Sequence, residues 1–177
     1  MIRAVAFDLL GVLLDFRKPQ LTPLQTEMAH TFGVIPADYD FVSHFAKKSG
    51  LSEEEVVEEI RLVISHIYAL RQPDLFSHLP KMKYAVASNH LSYMGDWIKS
   101  LPIGQNFDFF FTSGDRGLVK PSAAYYYALA RELEEPPINI LFIDDTPSNC
   151  AGADAVGMKA VLFEPRMCLS DVVLDNL

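Results

Sequence analysis

Cysteine is nearly absent from this chain: Cys150 and Cys168 are the only 2 among 177 residues. They stand in no CxxC or Cys/His spacing, which argues against a disulfide framework and a structural zinc site. Reduced thiols in a cytoplasmic protein are expected. The 5 histidines show no ligand spacing either. Long apolar runs are also missing. The run at residues 2–7 falls far short of the ~20 residues that a membrane span requires, so no membrane partner is expected. Met1, Ile2 and Arg3 lead straight into that run and leave no room for a signal peptide. Basic clusters are lacking as well: 15 Lys and Arg stand against 23 Asp and Glu, a net charge of −8. Without a Lys/Arg-rich stripe, nucleic acid is not an expected partner. Neither GxGxxG after a strand nor GxxxxGK[ST] occurs, so dinucleotide and P-loop sites have no support.

What is present is a chain long enough for one full core, burying roughly 70% of its unfolded surface. Its hydrophobic content of 50% is ordinary for a globular protein. Periodicity divides it. Between residues 21 and 70 the pattern is helical. Leu21, Leu24, Met28 and Phe32 form one face, stopped by Gly33. Tyr39, Val42, Phe45 and Ala46 form a second, closed by Gly50. Ser52 and Glu55 bracket a capping box that opens a third helix, with Val56, Ile60, Val63, Ile64 and Ile67 on one side.

Short apolar runs at residues 2–7, 84–87, 109–112, 138–143 and 160–163 read as buried strands. Helical stretches at 91–101, 122–133 and 150–156 alternate with them. This is the signature of an α/β fold with a doubly wound parallel sheet. The predicted core comprises residues 1–16 and 76–177, with residues 17–75 as a helical cap inserted after the first strand.

In such a sheet, ligands bind beyond the carboxyl ends of the strands. Asp8 follows the first strand, and Ser88 and Asn89 the second. Ser113, Gly114 and, further on, Lys120 and Pro121 follow the third. Asp144 and Asp145 follow the fourth. Adjacent carboxylates raise each other's pKa unless a cation neutralises them. A hard divalent ion bound by oxygen ligands, Mg²⁺ above all, suits that need. Lys120 and Ser88 supply a fixed charge and a hydroxyl donor for an anion. Each residue alone has a plainer role: Asp8 in a turn, Ser88 or Asn89 as a helix cap, Lys120 on a solvated loop. Tyr125, Tyr126 and Tyr127 read as helix packing.

Together the motifs resemble those of haloacid dehalogenase-like (HAD) hydrolases, in the branch with a small helical cap after the first motif (subfamily IA). Phe7-Asp8-Leu9-Leu10-Gly11-Val12-Leu13 is similar to the family's hhhDxDGxL. Ser88-Asn89, Lys120-Pro121 and Asp144-Asp145-Thr146-Pro147-Ser148-Asn149 follow in the family's order. The resemblance implies that Asp8 is the nucleophile forming an aspartyl-phosphate. It implies that Ser88, Asn89 and Lys120 bind substrate, with Lys120 also steadying the nucleophile. Mg²⁺ would be held by Asp8, Asp145 and the Leu10 backbone carbonyl. Asp144 would be a ligand through water or an accessory ligand, and Asn149 would orient the ligands. A response-regulator receiver gathers similar groups, but its acidic pair follows the first strand.

Leu10 departs from the family pattern. Phosphatases of this type usually carry Asp there, which protonates the leaving oxygen and then activates water. A positioned acid/base contributes ~10²–10⁴-fold. Slow turnover of alkyl phosphates is therefore expected, with aryl and acyl phosphates less affected. A phosphatase acting on a small phosphorylated metabolite is the favoured reading, as a monomer or dimer. A catalytically impaired binding protein and a 2-haloacid dehalogenase are the alternatives. The dehalogenase reading accounts for Leu10 but not for the acidic pair. Arg17, Lys18 and His90 are expected near the cap-side mouth of the site.

Overall fold

Alternation along each strand sorts large from small apolar residues, and this sorting builds the two faces of the sheet. The computed structural model describes residues 1–177. The chain runs from β1 (Ala4–Phe7) through a short β2 (Leu14–Phe16) into three helices. These are α1 (Pro23–Thr31), α2 (Asp38–Ser49) and α3 (Glu53–Ile67), after which the chain returns by β3 (Tyr68–Leu70). The remainder alternates: β4 (Lys83–Ser88), α4 (Ser92–Ser100), β5 (Phe109–Thr112), a single turn α5 (Ser113–Arg116) and α6 (Ala123–Glu132). It ends with β6 (Ile140–Asp144), α7 (Pro147–Ala155), β7 (Lys159–Leu162) and α8 (Leu169–Leu174). Five parallel strands in the order β5-β4-β1-β6-β7 form the main sheet, while β2 and β3 pair antiparallel as a separate ribbon.

Val5, Phe7, Tyr84, Val86, Leu141 and Ile143 point to one face. Ala4, Ala6, Ala85, Ala87, Ile140 and Phe142 point to the other, where Tyr125, Tyr126 and Leu129 of α6 fill the space over the alanines. The first face is continuous with the inserted helices: Met28, Phe41, Phe45, Val56, Ile60 and Val63 belong to the same buried cluster as Phe7. The predicted capping box of α3 is present, with Ser52 and Glu55 exchanging side-chain-to-backbone hydrogen bonds. A second one, Thr22 with Gln25, opens α1.

Boundaries differ from the sequence reading where proline intervenes. Ile138, placed in a strand by its apolarity, is 69% exposed and lies in a 3-10 turn after Pro136. Two successive prolines lack ladder donors there, so β6 begins at Ile140. α7 begins at Pro147 rather than Cys150, because proline is favoured in the first helical turn. The β2–β3 ribbon has three residues per strand, too few for a readable period.

His90 was expected near the mouth of the site. It is instead 1% exposed, with Phe32 at 4.8 Å between ring centroids. Its Nδ1 accepts from Leu91 N at 2.9 Å, and its Nε2 lies 3.3 Å from Tyr68 Oη. Its position thus ties the insert to the loop after β4. Burial lowers the His90 pKa from 6.5 to about 4. Stability from neutral His90 is complete above pH 6.5 and is lost as the pH falls toward about 4. Across that window, wild type should lose up to about 1.4 kcal/mol per pH unit more than His90→Asn, since one proton separates them. Urea unfolding at several pH values measures this, and parallel curves for the two proteins would overturn it.

Candidate active site

Register sets the site. Phe7 is level with Val86 on one side and Ile143 on the other, so Asp8 and Asp144 emerge side by side at the carboxyl end of the sheet. Ser88 ends β4, and its neighbour Asn89 opens the next loop. Lys120 comes from the loop between α5 and α6, which brings it over the same strand ends.

Lys120 fills the space between the two acids. Its Nζ lies 2.8 Å from Asp8 Oδ1 and 2.7 Å from Asp144 Oδ2. It also donates to the Ala87 carbonyl at 2.9 Å. Three acceptors satisfy the three ammonium donors. Burial opposes the charge on Lys120, but the two carboxylates more than offset it and hold its pKa above the ordinary value. The ammonium therefore stays protonated. Burial pushes the Asp8 carboxyl up, and Lys120 offsets part of that.

Asp144 is wholly buried. Asn149 Nδ2 donates to its two oxygens at 3.0 and 3.1 Å, and Thr146 N donates to Oδ1 at 2.9 Å. With Lys120 these contacts occupy its four lone-pair sites. Asp144 is thus the anchor of Lys120. Asn149 orients Asp144, and its own carbonyl accepts from Tyr126 Oη at 2.7 Å.

Asp145 faces the cleft. Burial, then the neighbouring Asp144, push its carboxyl pKa up. Gly11 makes its position possible. With φ at +78° Gly11 sits in the left-handed region, and a Cβ there would lie 2.6 Å from Asp145 Cγ and closer still to Oδ2. The Leu10 carbonyl accepts no backbone hydrogen bond. One oxygen from each of Asp8, Asp144 and Asp145 lies within 4.8 Å of the others. Three carboxylates against one ammonium leave two negative charges uncompensated when all are ionised. Asp8, Asp145 and the free Leu10 carbonyl are hard oxygen donors, a set that fits Mg²⁺.

The cleft of about 440 Å³ is lined by Asp8, Leu10, Ser88, Asn89, Lys120, Pro121, Asp145, Thr146, Ser148 and Asn149. It therefore gathers the predicted residues, Asp144 lying just beneath. None of these ten comes from residues 17–75, so Arg17 and Lys18 do not line it. Asn89, expected to bind substrate, has its side chain turned to the Lys120 backbone. Thr146, Ser148 and the Ala87 carbonyl were not anticipated. The Thr-Pro step after the acidic pair is a signal for Thr146, whereas a carbonyl leaves no trace in side-chain identity.

A family model described as haloacid dehalogenase-like hydrolase matches residues 2–157. The chain belongs to this family of hydrolases. Its HAD-like fold is shared with a HAD family enzyme from Bacteroides thetaiotaomicron solved with magnesium and inorganic phosphate. That likeness has a TM-score of 0.72 and 16% identity, and covers 97% of this chain and 99% of the other. A HAD-like hydrolase from Porphyromonas gingivalis gives 0.71 at 21% identity, covering 99% and 98%. A 2-haloacid dehalogenase from Pseudomonas syringae gives 0.64 at 20%, covering 92% and 86%. Over 60 residues the chain is 33% identical to drimenol cyclase drtB of Aspergillus calidoustus. That match takes in 34% of this HAD-like chain and only 11% of that curated relative's length.

Gly11→Ala would place a methyl group on the Asp145 carboxylate and force a left-handed alanine. The expected cost is about 1–3 kcal/mol of stability together with a roughly 10–100-fold weaker Mg²⁺ affinity. Thermal unfolding and calorimetric Mg²⁺ titration measure the two effects. Unchanged Mg²⁺ affinity would separate Gly11 from the cation site.

Proposed function

We propose that the chain is a Mg²⁺-dependent phosphohydrolase that works through an aspartyl-phosphate at Asp8. The observation that carries this reading is the Lys120 ammonium fixed 2.8 Å from Asp8 in a cleft that also presents Asp145 and the free Leu10 carbonyl. Bound Mg²⁺, held by Asp8, Asp145 and that carbonyl, would neutralise charge on the transferring phosphoryl group.

In the first step a carboxylate oxygen of Asp8 attacks phosphorus. The bond to the leaving oxygen breaks, and that oxygen departs with the electron pair. Lys120 keeps its proton throughout, stabilises the equatorial oxygens and favours the ionised form of Asp8. The Ser88 hydroxyl, at the cleft wall, makes no hydrogen bond to a protein acceptor and is free to donate to the phosphoryl group. In the second step water attacks phosphorus, the bond from phosphorus to the Asp8 oxygen breaks with its electron pair left on Asp8 as carboxylate, and the water proton leaves with the released phosphate or to solvent.

Neither step has a residue to carry a proton. Leu10 offers none, the cleft contains no histidine, and no side chain of the insert lines it. The leaving group must therefore depart unprotonated, which favours aryl and acyl phosphates over alkyl esters. A cleft of about 440 Å³ suits a small phosphorylated molecule. The two excess negative charges, Asp145 among their sources, disfavour an anionic haloacid, whose substitution at carbon needs no cation to offset them.

The protein should release p-nitrophenol from p-nitrophenyl phosphate in Mg²⁺, and Asp8→Asn should abolish it. Leu10→Asp should raise alkyl phosphate turnover by about 10²–10⁴-fold, read by phosphate release. It should also shorten the life of ³²P-labelled Asp8. Inactivity toward aryl, acyl and alkyl phosphates alike would instead assign a binding role. Metal-independent chloride release from 2-chloropropionate would assign a dehalogenase.

A further inference from the structure

Lys120 reaches the acids from a loop, so its main chain must be held for its side chain to be held. Asn89 does this. Its Nδ2 donates to the Lys120 carbonyl at 3.0 Å, and its Oδ1 accepts from Lys120 N at 2.8 Å. One carboxamide thus closes a two-bond ring with both main-chain groups of a residue 31 positions away, as a neighbouring strand would. The next residue, Pro121, has no N–H to offer a further anchor. The insert bears on the other side of Asn89. Gly33, with φ at +79°, lies so close that a Cβ would meet the Asn89 carbonyl at 3.1 Å. Asp38 of α2 accepts from Ser92 N at 2.9 Å and so caps α4, which carries the loop onward. The Ser113 hydroxyl lies 3.3 Å from both the Pro36 and His90 carbonyls.

We infer that Asn89 is a positioning residue: it latches the Lys120 main chain, and the helical insert acts on the phosphate site through this latch rather than by lining the cleft. The inference rests on the phosphoryl-transfer reading of the site for its effect on rate. Its effect on Lys120 exposure is independent of that reading. An Asn89 that instead bound substrate would weaken binding to an extent set by the leaving group. The latch acts equally on every phosphate ester, because it acts on the shared phosphoryl group through Lys120.

Two measurements on the full chain test this. In the first, Asn89→Ala should lower kcat/KM for p-nitrophenyl phosphate and acetyl phosphate by the same factor, about 10²-fold. It should leave Mg²⁺ affinity unchanged, and it should add nothing further on a Lys120→Met background. Leaving-group-dependent losses, or losses additive with Lys120→Met, would overturn the latch. In the second, Lys120 is labelled with an amine-acylating reagent and read by mass spectrometry. Labelling should rise about tenfold in Asn89→Ala and rise in Gly33→Ala, with each variant confirmed folded by circular dichroism. Unchanged labelling in a folded Asn89→Ala refutes the latch. Unchanged labelling in Gly33→Ala alone refutes the role of the insert. If wild type turns over no phosphate, the phosphoryl-transfer reading fails, and the labelling still decides whether Asn89 holds Lys120.

Discussion

The Lys120 ammonium between Asp8 and Asp144 is the interaction on which this structure turns. Parallel pairing with β1 at the centre forces two carboxylates to emerge as neighbours. Only a cation inserted between them makes that arrangement stable. Breaking a buried pair of this kind costs about 3–5 kcal/mol, because a desolvated charge is left without its partner. The groups around it serve the same end: the Ala87 carbonyl takes the third ammonium proton, Asn149 and Thr146 N hold Asp144, and Asn89 holds the loop. The charge that sits beside Asp8 at the cleft is therefore also a structural element of the core.

Division of labour between the two acids after β6 follows from exposure. Asp144 points into the protein and is saturated with donors, whereas Asp145 points into the cleft, where burial and its neighbour raise its pKa. The sequence shows two identical residues in a row and cannot separate them. Strand alternation does, since consecutive side chains leave on opposite sides. Leu10 then defines the chemical limit of the site. Its carbonyl keeps whatever role the backbone has, while its side chain packs against the core cluster and brings no proton to the cleft.

Much of this was legible in the residues. The alternation of Ala4 and Ala6 with Val5 and Phe7, and the apolar runs at β4 through β7, specify a buried parallel sheet. Strand-end positions then pick out Asp8, Ser88, Lys120, Asp144 and Asp145. What could not be read depends on direction or on the backbone. Asn89 has the composition of a ligand contact but turns its amide to Lys120. His90 lies one residue from a site residue and yet points into the core, because Phe32 and Tyr68 of the insert close over it. The three-residue strands of the ribbon carry no periodicity. The helical pattern of the insert was clear, but its distance from the cleft is set by packing that no local motif encodes.

The buried cluster that joins the insert to the sheet has an implication for how this chain tolerates change. Phe7, Leu9 and Val12, which lead into and out of Asp8, share one apolar interior with Phe41, Phe45, Ile60 and Val63. A segment related to its core in this way is no appendage that can be swapped for another of the same length. Exchanging it for a foreign one would strip the covering from the strand that presents Asp8. Diversification within the insert is therefore confined to its outer surface, where Tyr39 and Leu62 already face water.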